Sequence, residues 1–295
     1  MEIVARGLAA AAEVAAARGL PTGDLRVLSA RGNLVVHLAP APVVARVATL
    51  TAATRCDPAA WLAREVAVAR YAAERGGPVV APAAEPGPHT ARGLAITLWT
   101  HHETAPDVPG PEVVGTALAA LHAAAAGCPA PLPHLAPARD QVTEALDALE
   151  RDRAVGPEVL TALRAQHAEV LTGLDGTGPA LTVLHGDAHA GNLVRGADGA
   201  WRWIDLEETC TGPPEWDLAV MAGRSGPAAL TAYARASGCP VPTPAALAPF
   251  ARARELEAVV WLLAMARQNP ERYRETADAR LAALLARPLT GSRPQ

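Results

Sequence analysis

The chain has 295 residues, half of them hydrophobic, a net charge of −4 and an isoelectric point near 6.1. That much apolar content supplies core for two lobes around a cleft and excludes an intrinsically disordered chain. The slight acidic excess argues against nucleic acid as the main partner, since proteins that bind it concentrate positive charge, and Arg, Glu, Pro or Gly interrupts every apolar run before it reaches membrane-spanning length.

In chain order, short β-branched runs at 26–29, 34–38 and 43–47 predict three strands of a small antiparallel sheet. Ala30-Arg31-Gly32-Asn33 and Ala39-Pro40-Ala41-Pro42 would connect them, and a lone glycine such as Gly32 marks an ordinary hairpin when taken by itself. Asp57 and Pro58 as start signals and Gly76-Gly77-Pro78 as a stop bracket an alanine-rich helix over 59–73 that carries Glu65. Residues 79–82 and 94–99 are expected to complete the sheet, which the chain leaves through Trp99-Thr100-His101-His102-Glu103. The two adjacent histidines point in alternate directions without a further ligand set, so no metal is expected there. Helices are expected over 112–126, 141–150 and 158–171, and after residue 217 over 218–222, 228–236, 245–265 and 271–286.

Between these helical stretches lies Leu184-His185-Gly186-Asp187-Ala188-His189-Ala190-Gly191-Asn192-Leu193, and then Trp203-Ile204-Asp205. Apolar runs at 181–184 and 201–204 precede the two acids, placing each at the exit of a short strand. Asn192 follows Asp187 by five positions and Asp205 follows Asn192 by thirteen, across a hairpin turned by Gly196-Ala197-Asp198-Gly199. Phosphoryl transfer needs one carboxylate to orient an acceptor hydroxyl and oxygen ligands to hold magnesium on the phosphates. Asp187, Asn192 and Asp205 suit those jobs. The alternative, that Asp187 and Asn192 only cap local turns, leaves the second acid and the two histidines unaccounted for.

These residues, with Gly212-Pro213 and Asp217-Leu218-Ala219 downstream, resemble the signature of the aminoglycoside phosphotransferase family of small-molecule kinases. The resemblance implies an α+β, protein-kinase-like bilobal fold, with residues 1–103 as nucleotide-binding lobe and hinge and 104–295 as catalytic and acceptor-binding lobe. It also implies Asp187 as catalytic base, Asn192 and Asp205 as magnesium ligands and Asp217 as a structural acid. His185 would brace the loop; His189 would brace it or approach phosphate, the first being favoured. Gly32 would lie over the nucleotide phosphates, and Trp99 and His101 would stand at the hinge, where backbone meets the base.

Arg46 falls where the kinase pattern has its phosphate-binding lysine. The chain contains no lysine, so a cation reaching the phosphates from that strand must be a guanidinium, which can hold them bidentately. An edge-strand arginine facing water is the alternative. Glu65 is then either the helix partner of Arg46 or an exposed acid pairing with Arg64 or Arg70.

A hydroxyl-bearing small molecule is the expected acceptor, an aminoglycoside, another antibiotic or a sugar-like metabolite, with ATP or GTP as donor and no nucleic-acid or membrane partner. A cationic acceptor would call for carboxylates, of which Glu207, Glu208 and Glu215 lie nearby in sequence, whereas Glu255 and Glu257 are two apart and cannot share a helix face. Pairing of these acids with arginines such as Arg252 or Arg254 is the competing reading. Cys56, Cys128, Cys210 and Cys239 form no Cys-x-x-C pair and are expected as reduced thiols of a cytoplasmic protein. A catalytically silent nucleotide-binding regulator of the same fold is the rival function.

Overall fold

The computed structural model describes residues 2–30, 32–49, 55, 57–177 and 181–287. Arg31 of the first expected turn and Cys56 lie outside the described residues. The amino-terminal part holds α1 (Glu2–Ala16), β1 (Asp24–Ser29), β2 (Leu34–Ala39), β3 (Val43–Val47), α2 (Pro58–Glu74), β4 (His89–Ala91) and β5 (Leu94–Thr100). The strands form one antiparallel sheet in the order β1-β2-β3-β5-β4.

Side chains alternate across a strand, so the sheet has two unlike faces. Leu34, Val36 and Leu38 of β2 and Ala45 and Val47 of β3 pack with Ala10, Ala11 and Val14 of α1. The intervening Val44 faces the other way, where Val66 and Ala69 of α2 meet Trp99. Arg46 is on that second face, toward α2 and the cleft.

The segment 79–82 meets the sheet only at its end, through an isolated bridge to β5 and not as a strand. Val79 bridges to Trp203, Pro82 bridges to Trp99, and Val80 N–H donates to Trp203 O at 3.0 Å. Pro78 and Pro82, which flank it, have no N–H to give to a continuous ladder, so the segment crosses between sheet and carboxy-terminal part. The edge place goes to β4, which hairpins onto β5 through Arg92 and Gly93, both at positive φ (51° and 72°) as a type I′ turn requires.

The remaining elements are β6 (Thr104–Ala105), α3 (Pro111–Ala125), a π-helical turn at Pro137–Gln141, α4 (Val142–Arg151), α5 (Pro157–Asp175), β7 (Thr182–Leu184), β8 (Leu193–Gly196), β9 (Trp201–Trp203), β10 (Cys210–Gly212), α6 (Glu215–Ser225), α7 (Pro227–Ser237), α8 (Pro244–Gln268) and α9 (Pro270–Leu285). Helices α2, α3, α5, α7, α8 and α9 each begin at proline, whose missing N–H costs nothing in a first turn. Asp57 also caps α2, its carboxylate accepting the Ala60 N–H at 3.0 Å. One core, including Leu118, Leu146, Leu163, Trp203, Trp216 and Phe250, joins these helices to the strands that precede Asp187 and Asp205. Among the described residues no helix is long and apolar enough to cross a membrane.

Candidate active site

Strand β7 ends at Leu184, and the loop that follows is fixed from beneath by Asp217 of α6. This fully buried carboxylate accepts the His185 N–H (2.8 Å) and a ring N–H of His122 (2.9 Å) on Oδ2, and the Gly186 N–H (2.9 Å) on Oδ1. His122 in turn meets the Tyr233 hydroxyl at 2.9 Å. Gly186 is at φ +89°, and a Cβ there would lie 2.1 Å from Glu208 O, so only glycine fits.

His185 braces the loop as expected. Its ring is buried, with Nε2 3.1 Å from Ile204 O, Nδ1 3.3 Å from the Asp187 N–H, and an edge-on contact to Trp203. Burial pushes its pKa down, which favours the neutral ring that one donor and one acceptor require.

The Asp187 carboxylate emerges above this base. Oδ1 accepts from Arg254 Nη2 at 2.6 Å; Oδ2 lies 3.3 Å from His189 Nε2 and 3.4 Å from Asn192 Nδ2. Burial alone would raise its pKa, but the His189 hydrogen bond and the Arg254 charge hold it well below the usual carboxylate range. Asn192 also donates to Asp187 O at 3.0 Å, and its backbone O accepts the Ile204 N–H at 2.9 Å, tying the loop to the stretch that carries Asp205.

Asp205 has left-handed backbone (φ 63°, ψ 51°), uncommon for a residue with a Cβ, and its side chain is 41% exposed. Its Oδ1 accepts from Arg46 Nη2 at 2.5 Å. The same nitrogen reaches Glu207 Oε2 at 2.5 Å, while Nη1 reaches Glu65 Oε2 at 2.6 Å. Glu65 is 1% exposed and belongs to Arg46, not to Arg64 or Arg70; Arg64 stacks on Trp61 instead. Burial, with Asp205 and Glu207 nearby, pushes Glu65 up to about 8 against the pull of Arg46.

The structure therefore gathers Arg46, Glu65 and Asp205 in one cluster and Asp187 with Asn192 in an adjoining one. Gly32 makes none of these contacts, its carbonyl accepting from Thr49 Oγ1 at 2.9 Å, whereas the next residue, Asn33, donates from Nδ2 to Glu207 Oε2 at 3.0 Å. Trp99 and His101 stand apart at the far end of β5. The indole packs against Val44, Val66 and Ala69 and donates to Thr97 Oγ1 at 2.9 Å. The His101 ring stacks on His37 at 3.7 Å, and its backbone N–H is taken by Pro42 O at 2.9 Å.

Several members of the site carried no linear signal. Arg55, held over Trp61 at 4.4 Å, reaches Glu207 Oε1 at 3.3 Å and Glu208 Oε1 at 2.5 Å. Gln141 also meets Glu208. Glu207, Glu208 and Glu257 are thus paired with Arg46, Arg55 and Arg254, and Glu255 faces away to Arg287, as its two-residue offset from Glu257 requires. The described cysteines, Cys128, Cys210 and Cys239, are free thiols, and burial pushes the Cys210 thiol up, away from reactivity.

Residues 26–250 match the phosphotransferase enzyme family. The chain is similar in structure to a choline/ethanolamine kinase family protein from Mesorhizobium loti, at 20% identity and a TM-score of 0.65 over 98% of this chain and 95% of that one. It is also similar to an aminoglycoside-3'-phosphotransferase of type VIII (20% identity, TM-score 0.60, 85% of this chain and 99% of that one). A macrolide 2'-phosphotransferase from Brachybacterium faecium superposes at a TM-score of 0.52 with 19% identity, over 97% of this chain and 99% of that one. Among curated proteins none matches the sequence.

Proposed function

The chain belongs to the phosphotransferase enzyme family, and we propose that it moves the γ-phosphoryl group of a nucleoside triphosphate, ATP or GTP, to a hydroxyl of a small molecule. The observation that carries this reading is the joining of Asp187 to Asn192, at 3.0 and 3.4 Å, beside an Asp205 that is tied to Arg46 and Glu65.

In this reading the acceptor oxygen, hydrogen-bonded to Asp187, forms a bond to the γ-phosphorus. The bond from that phosphorus to the β–γ bridging oxygen breaks, and its electron pair leaves on the nucleoside diphosphate. The hydroxyl proton ends on the Asp187 carboxylate. An acid held so far below its ordinary range is a weak proton acceptor, so its main work is to orient the hydroxyl while bond breaking leads. Arg46 supplies the charge facing the phosphates and Glu65 holds it in place.

The donor set fits magnesium. Two guanidiniums, Arg46 and Arg55, face four acidic side chains, Glu65, Asp205, Glu207 and Glu208, so acids outnumber cations where a divalent ion would sit even with Glu65 carrying a proton. Asn192 turns its Nδ2 to Asp187, which leaves its amide oxygen to serve with Asp205 as a hard ligand. Among the described residues no trio of His, Cys, Asp or Glu forms a metal cage, so phosphate and water would complete the shell, as magnesium prefers. Bound there, magnesium would neutralise charge on the phosphates.

The similar structures are named for acceptors as unlike as choline or ethanolamine, aminoglycosides and macrolides, so the acceptor must be found by assay. The test is magnesium-dependent γ-phosphate transfer across a panel of aminoglycosides, macrolides, sugars and amino alcohols, with Asp187→Asn as control. Transfer to one compound that the variant loses supports the reading. Nucleotide binding without transfer or hydrolysis would favour the silent regulator instead.

A further inference from the structure

The loop between Asp187 and Asn192 reads Ala188-His189-Ala190-Gly191 and offers no permanent cation to the carboxylate it presents. That cation comes from α8. Arg254, 67 residues further along, donates from Nη2 to Asp187 Oδ1 at 2.6 Å and from Nη1 to Glu257 Oε2 at 2.6 Å and Gly186 O at 3.4 Å. Its guanidinium carbon lies 5.5 Å from the Trp216 ring, and the Trp216 indole donates to the same Gly186 O at 2.8 Å. The side chain is 21% exposed, and both ion pairs are shorter than those of a solvated surface pair need be.

We infer that Arg254 is a positioning residue for phosphoryl transfer: by occupying Asp187 Oδ1 it fixes the rotation of the carboxylate and leaves Oδ2 as the oxygen that receives the acceptor hydroxyl. The inference rests on the reading of Asp187 as the acceptor-orienting acid. The chemistry of the contacts supports it. A charge-assisted bond of 2.6 Å holds Oδ1, whereas Oδ2 has only the longer approaches of His189 (3.3 Å) and Asn192 (3.4 Å), which an incoming hydroxyl can displace or share. Glu257, three residues on and on the same helix face, holds the second arm of the fork, so the guanidinium cannot swing away with the acid. A neutral side chain at 254 frees the carboxylate to rotate, and displacement of a reacting group by about 1 Å costs on the order of 100-fold in rate.

The test uses the full chain with magnesium and ATP, reading both acceptor-free hydrolysis, with water as acceptor, and transfer to whichever panel compound is active. Arg254→Ala should lower kcat about 100-fold in both reactions with the nucleotide KM changed less than threefold, and millimolar guanidinium ion should restore at least tenfold. Arg254→Lys, which keeps the charge but lacks the fork, should fall between and still respond to guanidinium, and it carries the test if the alanine variant does not fold. Turnover within threefold of the parent in a folded variant overturns the inference while leaving the phosphotransferase reading intact. So does a loss of kcat that guanidinium does not reverse and that follows a fall in melting temperature, the mark of a mere strut. A parent protein with neither hydrolysis nor transfer overturns the phosphotransferase reading itself, and this inference with it.

Discussion

Asp217→Asn is nearly isosteric, so its cost is set by hydrogen bonding alone. The native Oδ2 serves two donors, His185 N–H and the His122 ring, and Oδ1 serves one, Gly186 N–H. An asparagine does best with its oxygen in the Oδ2 place, which keeps two bonds but turns them from charge-assisted to neutral. Its NH₂ then points at the Gly186 N–H, a donor facing a donor. The surrendered bond and the orphaned buried amide together cost about 3–5 kcal/mol, with the weakening of the other two included. At about 2 °C per kcal/mol for a chain of this size, the melting temperature should fall by about 6–10 °C. Because the three donors flank the loop that presents Asp187, turnover in the panel assay should fall as well, while nucleotide affinity, set largely by the other lobe, should change little. A loss below about 1 kcal/mol by thermal or urea unfolding, with full turnover, would show that Asp217 is not the support under the loop.

Arg46→Met leaves Glu65 and Glu207 buried without the guanidinium they share, and should destabilise by about 3–5 kcal/mol; an unfolding midpoint unchanged within error would contradict the cluster as drawn. Gly115→Ala places a Cβ 2.2 Å from Ala229 O and 2.8 Å from Tyr233 N, so the close α3–α7 contact must open. The gain in helix propensity is outweighed and a net loss of about 1–3 kcal/mol is expected, with a stabilised variant as the contrary result. His167, buried with its ring 2.7 Å from Ala138 O, has its pKa pushed down by burial. Below its unfolded value of about 6.5 the unfolded chain takes a proton that the fold resists, so stability is full above that pH and falls below it by up to about 1.4 kcal/mol per pH unit. His167→Gln should flatten the melting-temperature profile between pH 5 and 6.5; an unaltered profile would assign the slope to other groups.

How far the fold could be read from sequence depended on punctuation. Helices opened by proline and closed by glycine or asparagine were legible because those residues restrict the backbone locally. Helix α1 has neither an Asn, Asp, Ser or Thr start nor a proline, and its buried stripe, Gly7, Ala10, Ala11, Val14 and Ala15, is made almost wholly of small residues in an alanine-rich run, so no element was expected there. Strand β4 is three residues long and contains only one apolar side chain facing the core, Ala91, too little for a period to register. Residues 79–82 looked like strand because Val-Val-Ala is strand-like; what they pair with was decided by tertiary contacts on both sides.

The same division runs through the site. The loop from His185 to Asn192 is legible because its geometry is a property of local spacing, and Arg46 was legible because it replaces a lysine at a fixed place on a strand. Contacts such as Asn33 to Glu207, 174 residues apart, Arg55 to Glu208 and Arg254 to Asp187 have no period or spacing to betray them. Glu207 and Glu208, read as candidates for a cationic acceptor, turn out to be matched by arginines from the opposite lobe. Composition explains the form these matches take. In a chain without lysine every permanent side-chain cation is a planar fork, and at this site each fork spans two or more acids: Arg46 joins Glu65 to Asp205 and Glu207, Arg55 joins Glu207 to Glu208, and Arg254 joins Asp187 to Glu257. A compact ammonium at any of these positions would keep the charge and drop a contact, so the cleft is organised less by the sum of its charges than by which acids each guanidinium holds together.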